Sequence, residues 1–314
     1  MDTADAPIVD AAGAPEASCV EIGESRESKV GAVPVRRALP RRERRTVGPW
    51  CFADHMGPVR VTEQHGLDIG PHPHTGLHTV TWLIDGEVLH RDSLGSEQLI
   101  APGQLNLMTA GRGVSHSEEA TGSYRGTLHG VQLWVAQPDE TRFGEPAFAH
   151  HPTLPRLEID ESTLTVLAGA FGGVTSPARQ DSPMVGVDAV IRPGISVWPL
   201  RTDFEHGLVV LSGEVAVEGR PVRSDRFAYL GIGRSELVLD AVEPARVLLL
   251  GGVPFGQPIL MWWNFVARMT DEIVAAREDW EDGRRFGEVR RYDGPRLHAP
   301  EFVGARPVPA NPMS

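Results

Sequence analysis

Lysine is almost absent from this chain. Lys29 is the only one, so 29 of the 30 basic residues are arginine, a usage that reads as a high-GC, bacterial coding bias. Cysteine is nearly as scarce, with Cys19 and Cys51 alone. Two thiols are too few for a disulfide framework or a thiolate cage around a metal, and they point to a reducing, cytoplasmic setting. Positive charge is in deficit: 42 acidic residues against 30 basic ones give a formal net charge of −12 over 314 residues. That balance disfavours a nucleic-acid footprint spread over the whole surface. The opening MDTADAPIVDAAGAPEAS lacks the basic start and apolar core of a secretory signal. Long apolar runs are missing too, with one exception. Residues 247–267 carry no charge and are about long enough to cross a bilayer. Gly251, Gly252, Pro254, Gly256 and Pro258 would break such a helix, so a strand, a turn and a second strand are expected there, and no membrane partner.

What the chain has in excess is turn chemistry. Glycine (34) and proline (26) make about a fifth of it, against a usual ~12%. Many short strands follow from that. Residues 1–28, rich in Ala, Pro, Asp and Glu, read as a flexible leader. An arginine cluster comes next, Arg36, Arg37, Arg41, Arg42, Arg44 and Arg45. It reads as a solvated lead-in that pairs with an acidic body, with a phosphate-binding patch as the other reading.

From Val47 onward short alternating runs are separated by turn signals. Thr79 to Ile84 alternates, Asp85-Gly86 offers a hairpin turn, and Glu87 to His90 is expected to return alongside. Gly207 to Val215 resembles Thr79 to Val88 after a shift of 127 residues, which suggests two copies of one β unit. Near the end, Thr270, Asp271 and Glu272 suit a helix start, Ile273, Val274 and Trp280 give an apolar stripe, and Gly283 stops it.

Histidine is the distribution that asks for a cause. Eight of the twelve fall between residues 55 and 129. In Pro71-His72-Pro73-His74, alternate side chains of a strand place both imidazoles on one face. If the register runs on unbroken, His78, Val80, Trp82 and Ile84 share that face, and it is the interior of a barrel. His116 and Glu118 repeat the i, i+2 spacing beside the glycine-rich Gly111-Arg112-Gly113. Two imidazoles from one strand with an imidazole and a carboxylate from another make a three-histidine, one-carboxylate site for a divalent transition metal. Imidazole suits Fe, Cu, Ni and Zn alike, so the ligands alone do not choose the ion.

The residues now resemble a known family. Val47-Gly48-Pro49-Trp50 through Gly57-Pro58, Pro71-His72-Pro73-His74-Thr75-Gly76, His90-Arg91-Asp92-Ser93, Met108 to Gly113 leading to His116-Ser117-Glu118, and Pro254-Phe255-Gly256-Gln257-Pro258 with Trp262-Trp263-Asn264-Phe265 are similar to the motifs of pirins, members of the cupin superfamily. The matches run from about residue 36 to 286. The resemblance implies an all-β bicupin, two antiparallel β-sandwich or barrel cupins with a short C-terminal helix. It carries the family's metal ligands onto His72, His74, His116 and Glu118, with Fe(II) as the expected ion and Ni, Cu, Mn and Zn as alternatives. Pirins usually have glutamate where this chain has His78, which leaves His78 as a fifth candidate ligand, a hydrogen-bond partner behind the ligands or a substrate contact, with the hydrogen-bond partner expected. Under the 127-residue shift Pro199 and Arg201 replace His72 and His74, and the second cupin, with His206 alone, should hold no metal.

The expected domains are the leader 1–28, a metal-binding cupin 29–165, a second cupin 166–254, and a helix and strap 255–314. Three functions follow from the resemblance. One is a quercetin 2,3-dioxygenase that opens a flavonol-like ring with O₂, with Glu118 as its base. Another is a redox-sensing iron protein that regulates a transcription factor or metabolic enzyme through protein contact. The third is a structural bicupin with an incidental metal.

Overall fold

The computed structural model describes residues 20–302, apart from residues 32, 63–65 and 225. Cys19, His65 and the last prolines of the tail lie outside them. Each half of the chain forms a large antiparallel sheet facing a four-stranded one. In the first half, the small sheet orders Asp68–His74, Val114–Glu119, Val88–Asp92 and Glu97–Ile100. In the second, it orders Gly194–Pro199, Glu236–Ala241, Glu214–Val217 and Arg220–Arg223. Position by position these orders correspond, and so do the centres of the large sheets. Leu77–Asp85 lies between Leu105–Thr109 and Gly126–Ala136, as Glu205–Ser212 lies between Arg226–Gly231 and Ala245–Gly252. The all-β, two-cupin expectation and the internal repeat both hold.

Apolar alternation closes each barrel and also joins the two. Trp50, Val80, Trp82, Leu105, Leu107, Val131 and Leu133 pack with Leu167, Val209, Leu211, Phe227, Leu248 and Leu250 of the second barrel in one buried cluster. The Trp50 indole N–H lies between two acceptors of that barrel, 3.0 Å from Val185 O and 3.1 Å from Gly251 O. At this junction a side chain on Gly48 would put its Cβ 2.6 Å from the Gly252 Cα, so the close approach requires glycine. The second barrel's own interior is filled with Trp198, Leu208, Val210, Val215, Leu237 and Leu239, all essentially without solvent exposure.

Several details depart from the sequence reading. The described end of the leader is not loose: Glu21–Glu24 pairs with Arg226–Gly231 on the second barrel, and Arg26–Val30 pairs with Val33–Leu39 on the first. Arg156–Ile159 and Ser162–Phe171 already belong to the second large sheet, so that barrel begins before residue 166. The turn at Asp85-Gly86 does not make a hairpin. Val88–Asp92 pairs with Glu97–Ile100 and Val114–Glu119 in the opposite sheet, so the turn carries the chain across the barrel. Turn residues specify a reversal, whereas which sheet the next strand joins is decided by packing.

The helix spans Thr270–Glu281 and buries Ile273, Ala276 and Trp280. Its cap position is Met269, with no side-chain cap hydrogen bond, and the Glu272 carboxylate instead accepts the Arg268 N–H at 2.9 Å. No described helix is long and apolar enough to cross a membrane. Helix and strap return to the first barrel. The Leu297 N–H donates to Pro71 O at 2.8 Å, and Val266 N–H donates to Thr75 O at 3.1 Å.

Candidate metal centre

The small sheet of the first barrel places the candidate ligands. His72 and His74 lie on Asp68–His74, whose two prolines remove ladder donors. Proline is tolerated here because this is the edge of its sheet, and the strap covers the open side. The neighbouring strand Val114–Glu119 sets His116 directly opposite His72. On its other side His116 faces Asp92 and Glu118 faces His90 in unbroken register, so His116 and Glu118 share the inner face.

Three imidazoles meet. The ligand-capable atoms of His72, His74 and His116 all lie within 4.8 Å of one another, and all three residues are buried. Hydrogen-bond logic settles which nitrogens carry protons. His72 Nδ1 lies 2.9 Å from Gly70 O and His74 Nδ1 lies 3.0 Å from Asn264 O. Carbonyl oxygens only accept, so both Nδ1 atoms donate and both Nε2 atoms are bare. For His116 the argument runs through a relay. Asp92 Oδ2 accepts from His90 Nε2–H at 3.2 Å, which leaves His90 Nδ1 to accept from His116 Nδ1–H at 3.3 Å. With His90 neutral, this order of bonds leaves His116 Nε2 bare as well.

His74 Nε2 and His116 Nε2 stand 3.1 Å apart, close enough that one must donate a proton to the other unless a cation lies between them. Without a proton between them they repel, in a place where burial has removed water. The separation is about what two nitrogens at ~2.1 Å from one ion and at a right angle would have. The donor set therefore fits a divalent transition metal. Burial pushes the His72 imidazole down to about 4 and holds His74 and His116 well below the ordinary value. All three thus stay neutral, with lone pairs available, at neutral pH.

Glu118 stands one pleat along from this group. Its carboxylate accepts from the Thr81 hydroxyl at 3.3 Å, and burial raises its pKa, partly offset by His90 and Thr81. It is not among the atoms that converge within 4.8 Å, which are imidazole alone. Burial would also raise Asp92, but His90 and the backbone of Ser96 hold its carboxyl below the usual range. Leu94 N–H and Ser96 N–H, each 2.9 Å from Asp92 Oδ1, fix the second oxygen. Trp134 meets His74 edge-on at 5.2 Å and stacks on Phe52 at 4.2 Å, while Phe148 stacks on His90 at 4.4 Å. This gives the site apolar, aromatic walls.

The relay is a part of the site that the sequence reading left without a role, although His90-x-Asp92 has the same i, i+2 spacing as the ligand pairs. An anion behind a ligating histidine fixes its tautomer and raises its basicity. Asp92→Asn should therefore weaken metal affinity about 10- to 100-fold while the barrel stays folded. Competition against a chromophoric chelator measures it, and an affinity equal to the parent's would remove the relay from the account.

His78 is not where strand parity put it. Gly76 sits at φ +67°, where a Cβ would lie 2.3 Å from Val266 O, and the chain changes sheets at Thr75-Gly76. The face count restarts there. Val80 and Trp82 face the second barrel, and the odd residue Thr81 reaches the inside, as its bond to Glu118 shows. The fully buried His78 places Nδ1 2.9 Å from the Thr109 hydroxyl and Nε2 3.2 Å from Asp181 Oδ2. Asp181 is drawn well below the usual carboxylate range: burial works against this, and His78, Arg179 and Thr141 outweigh it. His78→Ala should keep its metal and lose about 1–3 kcal/mol of stability, because the buried Thr109 hydroxyl loses its partner while Asp181 keeps Arg179 and Gln137. Chemical denaturation and metal analysis together check this. A metal loss matching that of His74→Ala would return His78 to the ligands.

Among the described residues the second barrel brings no counterpart group of ligands together. On Gly194–Pro199 the buried positions are Ser196 and Trp198, one residue off the register that the 127-residue shift gave, and neither is an imidazole. His206 is buried, its pKa pushed down to about 4 by burial, and it belongs to no cluster of ligands among the described residues.

Comparison with known proteins bears on this geometry. The family described as Pirin matches residues 32–135, and the Pirin C-terminal cupin domain matches residues 187–287. A Pseudomonas aeruginosa protein provisionally named quercetin 2,3-dioxygenase is 49% identical over 86% of this chain and 86% of its own length. A pirin-like protein of Caulobacter vibrioides is 38% identical over 83% of this chain and 92% of its own. Among solved structures, a quercetin 2,3-dioxygenase from Acinetobacter baumannii superposes with a TM-score of 0.88 at 44% identity, covering 92% of this chain and 97% of that one.

Proposed function

The chain belongs to the pirin family, and on that premise we propose that it is a metal-dependent dioxygenase of the quercetin 2,3-dioxygenase type. The observation that carries the reading is the convergence of three buried imidazoles, each with a ligand-capable nitrogen within 4.8 Å of the others. The similarity to proteins named for that activity supports it. His72, His74 and His116 would hold the ion, with Glu118 as the fourth ligand. Iron(II) is the expected metal, and nickel, copper, manganese and zinc fit the same donors. When bound, the ion would supply a Lewis-acid centre that lowers the pKa of a flavonol hydroxyl and holds O₂ and substrate together.

The chain's own residues supply the rest. Burial makes Glu118 a stronger base than an exposed carboxylate, suited, once it leaves the metal, to take the proton of the flavonol 3-hydroxyl. Thr81 holds that carboxylate in place through its one hydroxyl proton, shared between Glu118 Oε1 at 3.3 Å and Gln132 Oε1 at 2.8 Å. Trp134 and Phe148, packed against His74 and His90, help to exclude water from the imidazoles. The overall reaction would consume one O₂ per flavonol and release one CO with the opened ring. With its single described cysteine free and buried, the chain suits a reducing cytoplasm.

Anaerobic mixing with quercetin tests the proposal. A metal-dependent spectral shift, followed by bleaching and CO release only when O₂ is admitted, is the expected course. A shift with no turnover would instead favour a binding or redox-sensing role.

A further inference from the structure

The arginine cluster is the partly solvated, partly paired lead-in that its sequence suggested, and two of its members stand apart. Arg36 donates to Gly57 O at 2.7 Å, Arg37 holds Asp54 through two bonds, and Arg41 donates to Glu24 O at 3.0 Å. Arg44 pairs with Glu21 at 3.3 Å and lies 3.3 Å above the Tyr229 ring. Arg42 and Arg45 are exposed and have no ionic partner among the described residues. Both line a cavity of about 520 Å³ between the two barrels, within the ordinary range for a small-molecule site.

The cavity has a polar rim and an apolar wall. Arg42, Arg44 and Arg45 give the lining its positive charge, and Ile232, Pro254, Phe255 and Ile259 its apolar surface. Two carboxylates also line it. Glu43 is exposed at the rim, and Glu205, 93% buried, forms part of the lining with its charge already engaged. Glu205 accepts the Gly48 N–H and the Tyr229 hydroxyl, each at 2.6 Å. Guanidiniums thus outnumber free carboxylates here, in a chain whose net charge is −12. The lining shares no residue with the three-histidine group.

We propose that this inter-barrel cavity is a second ligand site, which binds a small amphipathic organic anion. Its acidic head, a carboxylate or sulfonate, bonds to Arg42 and Arg45, and its ring body lies against Phe255 and Ile259. Guanidinium forks suit planar oxyanions, and the aromatic and aliphatic wall suits an uncharged ring system. An inorganic ion would leave that wall unused, and a neutral ring would gain nothing from the two guanidiniums.

The probe is 8-anilinonaphthalene-1-sulfonate, titrated by fluorescence into the full, metal-loaded chain, with the uncharged N-phenyl-1-naphthylamine as its comparison. The sulfonate should bind saturably at one equivalent, and the neutral amine at least ~10-fold more weakly, the equivalent of one charge-assisted hydrogen bond. The exposed double substitution R42A/R45A should weaken the sulfonate by at least ~10-fold on the same grounds, with metal content unchanged. Unsaturable binding, equal affinity for the neutral amine, or an undiminished affinity in R42A/R45A would each overturn the proposal.

Discussion

His116→Ala will lower metal occupancy at least ~10-fold and leave the fold intact. His116 is the most connected of the three imidazoles. It faces His72 across the strand pair, stands 3.1 Å from His74, and receives the Asp92–His90 relay from behind. Removing it takes away one bare nitrogen and strands His90 without its donor. His72→Ala should match it in metal loss, with less effect on stability, because its Nδ1 partner is only the nearby Gly70 carbonyl. Survival of the fold is expected because the apolar clusters of both barrels and their junction lie outside the ligand group. Elemental analysis and thermal unfolding of both variants check the pair. Full metal content in either would remove that residue from the site.

Glu118→Gln will reduce flavonol turnover by about 100-fold or more, the ordinary contribution of a positioned base. Glutamine keeps the side chain's length and its contact with Thr81 but removes the negative charge and the proton acceptor. Because the three imidazoles converge without Glu118, some metal should be retained. Rates are therefore compared per bound ion. The check is O₂-dependent bleaching of quercetin with CO measured in parallel. Parent-like turnover per ion would leave Glu118 with no part in the chemistry.

How much of this was legible in the sequence differs from one residue to the next. The i, i+2 spacings at His72/His74 and His116/Glu118 identified one inner face because each pair lies within one strand, where alternation is strictly local. His78 was misplaced because alternation was carried across Thr75-Gly76. There a glycine at positive φ hands the chain from one sheet to the other and restarts the count. The same physics defeated the hairpin at Asp85-Gly86: the turn was real, with Gly86 at φ +92°, but its two strands belong to facing sheets. The pairing of Glu21–Glu24 with Arg226–Gly231 spans some two hundred residues and leaves no local signature. The repeat was legible because Gly213 repeats the turn of Gly86, yet its register slipped by one at Trp198. Asp92 and His90 sat in plain view at ligand spacing, and only the pairing of their strand with His116 gave them a role.

The central claim is one metal ion per chain, held by the three imidazoles of the first barrel. Elemental analysis of the chain purified without a chelating tag, alongside its His72→Ala, His116→Ala and His206→Ala forms, tests it most directly. The account predicts about one transition-metal ion per parent chain, loss of it in the first two variants and no change in the third. A parent chain that binds none on reconstitution, or one that binds two and loses one with His206→Ala, would contradict it.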